Sequence, residues 1–295
     1  MYIPNLPGNA VVAAIFAIFI VGQLFLGIKH KTWGYMIAAI LGLLLEVVGY
    51  ISRILIHNNP FNGDAFLMGL VTLTIAPAFL TASIYLCLSR IVIVYGEDIS
   101  LFKPRTYTIV FCTCDIISLV LQALGGGIAS SADTKKSSDL GKNIMLAGLL
   151  FQVASLALFA VACADFCFRV IKHKANRNPR YTKITSTTLF KAFLVGLLIA
   201  SITIVIRSIY RCVELWGGFN SELFTGHEAT FMILEGGMII IATFCLTALH
   251  PAICFQGVWH EANFGFRTKK VNATKHSLLS DEENPTELTQ FQVRR

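Results

Sequence analysis

Seven long apolar runs divide the chain and limit what it can fold into. Each contains about 18 or more mostly apolar residues, the length that a helix needs to cross the roughly 30 Å hydrocarbon core of a bilayer. Backbone amides inside a bilayer must bond to one another, so runs of this length are predicted to be transmembrane helices. The predicted spans are Asn9 to Ile28, Gly34 to Ile56, Ala65 to Ser89, Tyr107 to Ser130, Asn143 to Cys167, Leu189 to Cys212 and Ala229 to Cys254.

Composition supports this fold class. Apolar residues make up 55% of the chain and charged residues 14%, whereas soluble domains carry about 25% charged residues. We therefore expect an all-α, polytopic integral membrane protein with seven transmembrane helices and no separate soluble domain. The predicted organisation is an extracellular N-terminus at 1–8, a seven-helix transmembrane domain at 9–255 and a disordered cytoplasmic tail at 256–295.

Basic residues predict the orientation of these spans. Eighteen of the 24 lysine and arginine residues fall on one side, three lie within the spans, and the other side has only Lys135, Lys136 and Lys142. Short cytoplasmic loops collect lysine and arginine, so the N-terminus is expected outside and the C-terminus in the cytoplasm. We expect the first span to be retained rather than cleaved as a signal peptide, because its basic residues, Lys29 and Lys31, follow it.

Several function classes are disfavoured by the sequence. The net charge of +7 is distributed as the topology requires, so no nucleic-acid partner is predicted. The chain has no G-x-x-x-x-G-K-[ST] loop for ATP phosphates and no G-x-S-x-G nucleophile elbow. Its eight cysteines lie in or beside predicted helices and lack zinc-site spacing. We therefore expect no ATP site, no metal, no cofactor and no enzymatic activity.

Six charged side chains, three of each sign, stand in the apolar stretches of spans two, six and seven: Glu46, Arg53, Arg207, Arg211, Glu214 and Glu235. A charge in hydrocarbon is costly, so such residues are candidate functional residues and must face other helices or water. Spacings of i, i+4 and i, i+7 place each set on one face of its helix, and Asp115 and Gln122 follow the same spacing in span four. The candidates for substrate binding or a charge network are Glu46, Arg53, Asp115, Gln122, Arg207, Arg211, Glu214 and Glu235.

Two interpretations of this set are open. The charges either neutralise one another as an internal network that fixes helix register, or form a network that also lines a ligand cavity. In the second case a glutamate or Asp115 would attract an amine, and the arginines a phosphate or carboxylate. Helix rise places Glu46 near the membrane midplane and most of the other charges in the outer half. Asp165 is set aside, because Arg169 one turn later makes a surface pair with it.

Two further features of the spans each have two interpretations. Pro77 near the middle of span three is a candidate hinge or a simple packing bend, because proline frees a backbone carbonyl and kinks a helix. Three glycines, Gly125 to Gly127, either allow a neighbouring helix to approach closely or end span four.

Polar residues spaced along spans two to six resemble those of a known family. The motifs are Glu46-x-x-Gly49-Tyr50-x-x-Arg53, Ala76-Pro77-x-x-x-x-Ala82-x-x-Tyr85, Asp115-x-x-Ser118-x-x-x-Gln122, Gly148-x-x-x-Gln152 and Arg207-x-x-Tyr210-Arg211-x-x-Glu214. From Ile40 to His250 the chain resembles the fungal lipid-translocating exporter family, the RTA-like seven-span membrane proteins. It departs at Glu235, where the family pattern usually has aspartate.

The resemblance implies a membrane translocator or exporter of amphiphilic lipids or lipophilic toxic compounds of the sphingoid-base type. Such a protein would contribute to lipid asymmetry or to stress and drug resistance. Its partners would be membrane lipids or amphiphilic small molecules. Its expected location is the plasma membrane, with an internal membrane as the alternative. The competing function is a seven-span lipid sensor or receptor that does not transport.

Overall fold

The structure is a computed structural model that describes residues 4–59, 61–96, 99–132, 134–172, 179–217 and 228–259. No strand occurs in these ranges, which confirms the all-α prediction for this part of the chain. The predicted cytoplasmic tail lies outside the described residues from position 260 onward. The helices are α1 (Leu6–Lys29), α2 (Trp33–Asn58), α3 (Gly63–Tyr95), α4 (Pro104–Ser130), α5 (Lys135–Lys172), α6 (Thr182–Ser186), α7 (Thr188–Gly217), α8 (Glu228–Phe231), α9 (Met238–Ala248) and α10 (Pro251–Cys254).

Short polar signals fix several helix ends. The side chain of Asn5 accepts a hydrogen bond from the Gly8 amide at 3.0 Å, and that of Asn62 accepts one from the Ala65 amide at 3.0 Å. These bonds satisfy amides that have no partner in the first turns of α1 and α3. Gly96 ends α3 with a φ of +129°, a conformation that glycine adopts readily because it has no Cβ.

Six of the helices, α1 to α5 and α7, are long and apolar enough to cross a membrane. The protein is therefore an integral, multi-pass membrane protein. The seventh predicted span, Ala229 to Cys254, is divided among α8, a π-helical turn (Met232–Gly237), α9 and, after a break at Leu249 and His250, α10. Its apolar part, Met232–Ala248, is shorter than the other spans. Helical backbone angles at Phe231, Gly237 and Met238 join the first three pieces into one rod. The seventh crossing remains a prediction.

The exterior of the bundle is apolar and its interior is partly charged. Large apolar side chains such as Ile18, Phe25 and Leu158 are exposed by 70%, 63% and 66%. In water so much exposed apolar surface would favour aggregation, whereas in a bilayer it faces lipid tails. In contrast, charged side chains of α2, α7 and the π-turn are buried.

Helix α4 packs closely on α5 through glycines. A Cβ on Gly125 would lie 2.4 Å from the Met145 backbone nitrogen, and one on Gly141 would lie 2.4 Å from the Ala129 nitrogen. Small residues allow backbones to approach in this way inside membranes. Since α4 continues to Ser130, the glycine run allows close approach rather than ending the helix.

Candidate functional site

Five of the six intramembrane charges come together inside the bundle. Glu46 on α2, three residues of α7 and Glu235 in the π-turn form this charge cluster, and each is at most 4% exposed. On α7, Arg207, Arg211 and Glu214 share one face because they are spaced by four and three residues. Ionised groups buried to this degree need partners of opposite charge or hydrogen bonds.

The two arginines of the charge cluster bind two of its three glutamates. The Nη2 atom of Arg207 lies 2.5 Å from Oε1 of Glu235. Arg211 places Nη1 2.6 Å from Oε2 of Glu214 and Nη2 3.3 Å from Oε1 of Glu235. Glu235 therefore joins both arginines. It links the π-turn to α7, so the seventh apolar segment is held to the bundle partly by charge.

Pro77 supplies a further partner for Arg207. Proline has no N–H, so the carbonyl of the residue four positions earlier, Leu73, loses its normal helical hydrogen bond. In the structure, the Nη2 atom of Arg207 donates to that carbonyl. Pro77 thus creates a buried acceptor on α3 that the arginine of α7 satisfies. The structure gives Pro77 a role in the charge cluster, while its action as a hinge stays a prediction.

Glu46 has the weakest pairing of the three glutamates. Its nearest opposite charge is Nη2 of Arg207, and the Oε1 atom of Glu46 lies 3.7 Å away from it, beyond hydrogen-bond distance. Both of its oxygens lack a hydrogen-bond partner in the described ranges, although the side chain is fully buried. The Tyr50 hydroxyl, one turn later on the same helix, and Oε2 of Glu235 also lack a partner there.

The π-turn brings Glu235 close to α2. A Cβ on Gly236 would lie 2.7 Å from the Tyr50 hydroxyl oxygen, so glycine is needed for this contact. π-Helical turns are rare and have poorer hydrogen-bond geometry than α-helix, and they occur frequently at functional sites. The turn therefore places an acidic side chain and a less regular backbone at the same point of the bundle.

Arg53 lies at the rim of the charge cluster rather than within it. Its Nε atom donates to the Asn9 side chain of α1 at 3.0 Å. Its guanidinium carbon lies 3.8 Å from the centre of the Phe231 ring, and that of Arg211 lies 5.8 Å from the same ring. Phe231 thus stands between the two arginines, where cation–π attraction favours both.

Asp115 and Gln122 do not join the charge cluster. Asp115 on α4 is 4% exposed and accepts a hydrogen bond from the Thr81 hydroxyl of α3 at 3.1 Å. Gln122 donates from its amide nitrogen to Gln152 of α5 at 2.8 Å. The two polar residues on this face of α4 therefore bond to different neighbours, Asp115 to α3 and Gln122 to α5. Asp165, which the sequence sets aside, forms a half-exposed pair with Arg169 at 2.7 Å.

A narrow apolar crevice lies against one edge of the charge cluster. It lies between α3, α5 and α7, ends at Arg211 and Glu214, and has no room for a water molecule in this form. Its other lining residues are Leu70, Thr74, Met145, Leu149 and Leu215. It combines apolar walls with a charged end, but in this form it is closed to a ligand.

A metal centre finds no support in this arrangement. The described residues contain no group of three or more histidine, cysteine, aspartate or glutamate side chains placed to hold an ion. The chemistry available at the charge cluster is ion pairing, hydrogen bonding and proton exchange.

Sequence reasoning missed three participants, Asn9, the Leu73 carbonyl and Phe231, and it named Tyr50 only as part of a motif and not as a member of the site. The Leu73 carbonyl could have been identified from the sequence, because it lies four residues before Pro77, which has no N–H to donate to it. Asn9 is a polar residue at the start of an apolar run, which is a weak signal. Nothing in the sequence marks Phe231, and the motif that contains Tyr50 does not say what its hydroxyl contacts, because both roles depend on how α1, α2 and the seventh apolar segment pack.

The sequence matches a known family over most of its length. Residues 39–258 match the family described as RTA1 like protein. The sphingoid long-chain base transporter RSB1 of Saccharomyces cerevisiae is 35% identical, over 86% of this chain and 74% of that protein. Protein RTA1 of the same yeast is 29% identical over 82% of this chain and 74% of its own.

A third yeast relative is named for a different substrate. Protoporphyrin uptake protein 1 of S. cerevisiae is 33% identical over 66% of this chain and 61% of its own length. No solved structure matches the chain. With most of the chain matched, the protein belongs to the RTA1-like family of fungal membrane proteins, as the sequence motifs predicted.

Proposed function

We propose that the protein is a translocator or exporter of amphiphilic lipids or lipophilic toxic compounds of the sphingoid-base type. In this role it contributes to lipid asymmetry or to resistance. The observation that carries the proposal is the charge cluster: five buried charges in an apolar bundle, with hydrogen-bonding atoms of Glu46 and Glu235 left without partners in the described ranges. Such groups are costly in a membrane unless they act on a substrate or ion.

The named relatives support a transport role. One is called a sphingoid long-chain base transporter and another a protoporphyrin uptake protein. Both compounds combine a large apolar body with ionisable groups. The crevice beside Arg211 and Glu214 has the same division between apolar walls and a charged end. It is narrow in this form, so an alkyl chain enters only when α3, α5 and α7 separate.

The membrane arrangement is part of the proposal. The seventh apolar segment completes a seven-span bundle with the N-terminus outside and the C-terminus in the cytoplasm. Eighteen lysine and arginine residues on the predicted cytoplasmic side support this orientation. Membership of a fungal family and the proposed export function together favour the plasma membrane as the location of the protein.

Leaflet exchange in liposomes tests the function. Purified protein is reconstituted, a fluorescent sphingoid base is added to the outer leaflet, and its loss from that leaflet is followed by quenching from outside. Exchange faster than in protein-free liposomes is expected, with fluorescent phosphatidylcholine as the control lipid. Failure to move the sphingoid base at any pH or ion gradient contradicts transport of this substrate class. Binding without movement would instead favour the lipid sensor.

A further inference from the structure

The charge cluster contains one more acid than base. Arg207 and Arg211 face Glu46, Glu214 and Glu235. None of these three glutamates lies within ion-pair distance of Arg53, whose contacts include the Asn9 side chain and the Phe231 ring. Seven residues separate Arg53 from Glu46, a distance of about 10 Å along α2. Fully ionised, the charge cluster would carry one unbalanced negative charge in a water-poor interior.

The unbalanced charge falls on Glu46. Glu214 and Glu235 each have an arginine nitrogen within 2.6 Å. Arg207 is already engaged by Glu235 and the Leu73 carbonyl, and it reaches Glu46 only at 3.7 Å. A fully buried carboxylate with no hydrogen-bond donor is costly. It requires a cation, and a proton is the smallest one.

Few other charged or titratable groups face Glu46. From α7 they are Arg207 and Arg211, and from the π-turn Glu235. Its own helix contributes Tyr50. On α1 the ionisable residue, Lys29, is the last residue of the helix, and the charged residues of α3, Asp64 and Arg90, lie towards the two ends of that helix. No basic side chain in the described part of the chain is therefore dedicated to Glu46.

Three groups with unpartnered oxygens surround this point: the Glu46 carboxyl, Oε2 of Glu235 and the Tyr50 hydroxyl. A primary ammonium group has three N–H donors and no acceptor, so it matches three acceptors. The Nε atoms of Arg207 and Arg211 also lack a partner among the described residues, but each belongs to a guanidinium that is already paired with a glutamate, so a phosphate head group would have to compete with those glutamates. The chemistry therefore favours an amine over an anionic head.

We propose that Glu46 is the cation site of the bundle, which holds a proton when empty and exchanges it for the protonated amine of the substrate. This rests on the proposed function and names its substrate class, an amphiphilic primary amine. In the exchange, the Glu46 carboxyl releases one proton to water and its carboxylate pairs with the ammonium group, so charge is conserved. Entry of the head group requires the π-turn to move away from α2 at the Gly236–Tyr50 contact, where its hydrogen bonding is least regular.

Proton release on binding tests this exchange. Dodecylamine is titrated into purified protein by calorimetry in two buffers of different ionisation enthalpy, with dodecanol as the uncharged control. Because the amine is already protonated at pH 7, about one proton per amine is expected to come from the protein. Dodecanol should release none. At pH values where the empty site is protonated, amine affinity should rise about tenfold per pH unit.

Variants locate the site. Glu46→Gln should abolish proton release and weaken dodecylamine binding by at least about tenfold, while the surface variant Asp165→Asn should behave as wild type. If Glu46→Gln fails to fold, Glu46→Asp serves instead and should keep proton release. Release that persists in Glu46→Gln, or vanishes in Asp115→Asn instead, overturns the assignment.

The failures of the two proposals are distinguishable. Leaflet exchange of amines without proton release would refute the Glu46 site and leave translocation intact. Proton-coupled amine binding without leaflet exchange would support the Glu46 site and contradict translocation. Absence of amine binding by the wild-type protein refutes the Glu46 site.

Discussion

Arg207 and Pro77 should be energetically coupled through the Leu73 carbonyl. Replacing Arg207 with methionine leaves this buried carbonyl without its donor and removes the shorter of the two ion pairs of Glu235. Breaking one partner of a buried pair destabilises a protein by about 3–5 kcal/mol. We expect a loss of this size in the free energy of unfolding of Arg207→Met.

A second substitution should restore part of that stability. In Pro77→Ala the alanine has an N–H, which can donate to the Leu73 carbonyl as in an ordinary helix turn. An unsatisfied buried acceptor costs about 1–3 kcal/mol, so the coupling between the two substitutions should lie in that range. The double variant should still be less stable than the wild type, because Pro77→Ala does not replace the ion pair that Glu235 loses with Arg207.

Unfolding in mixed detergent micelles, followed by tryptophan fluorescence, gives the four free energies of this cycle. Arg211→Met is the matched control, because Arg211 pairs with Glu214 and Glu235 and the Leu73 carbonyl is bonded by Arg207. Pro77→Ala and Arg211→Met should be additive within about 0.5 kcal/mol. Additivity of Pro77→Ala with Arg207→Met as well would refute the role assigned to Pro77.

Three further predictions concern packing away from the charge cluster. Gly125→Ala should destabilise the bundle by about 1–3 kcal/mol, because its Cβ would meet the Met145 backbone at 2.4 Å. Gly127→Ala is the control and should be nearly neutral, since nothing lies within 4 Å of its Cβ, and equal free-energy losses in the two variants would contradict this packing. Gln122→Leu should cost about 1–3 kcal/mol by leaving Gln152 without its amide donor, and the double variant with Gln152→Leu should recover stability; no recovery would show that the pair is not the cause. Arg90→Lys should speed amide hydrogen exchange in residues 250–259, since the guanidinium stacks 3.6 Å from the Trp259 ring centre and donates to the Trp259 carbonyl at 2.5 Å. Unchanged exchange rates would show that this contact does not stabilise the segment.

The helices were predictable because a bilayer leaves few alternatives for long apolar runs. Span four, for example, was predicted from Tyr107 to Ser130, and α4 runs from Pro104 to Ser130. The seventh span was harder, because the irregular π-turn around Glu235 has no sequence signal of its own. The short α8 and α9 on either side of the turn depend on tertiary packing.

The grouping of charges was predictable in part, and their pairing was not. Spacing alone places Arg207, Arg211 and Glu214 on one face of α7. Which glutamate each arginine binds depends on helix rotation and relative depth, which are set by side-chain packing across the bundle. For the same reason the sequence grouped Asp115 and Gln122 with the charges, whereas the structure places them against α3 and α5.

The central claim is that the charge cluster, through Glu46, moves an amphiphilic amine across the bilayer. The most direct measurement is leaflet exchange of a fluorescent sphingoid base by liposomes containing wild-type protein, Glu46→Gln or Asp165→Asn at equal amounts. We predict exchange by the wild type and by Asp165→Asn, and a loss of at least about tenfold in rate for Glu46→Gln, the loss expected when a charge-assisted hydrogen bond to the amine is removed. Exchange by a folded Glu46→Gln variant at the wild-type rate would contradict the claim.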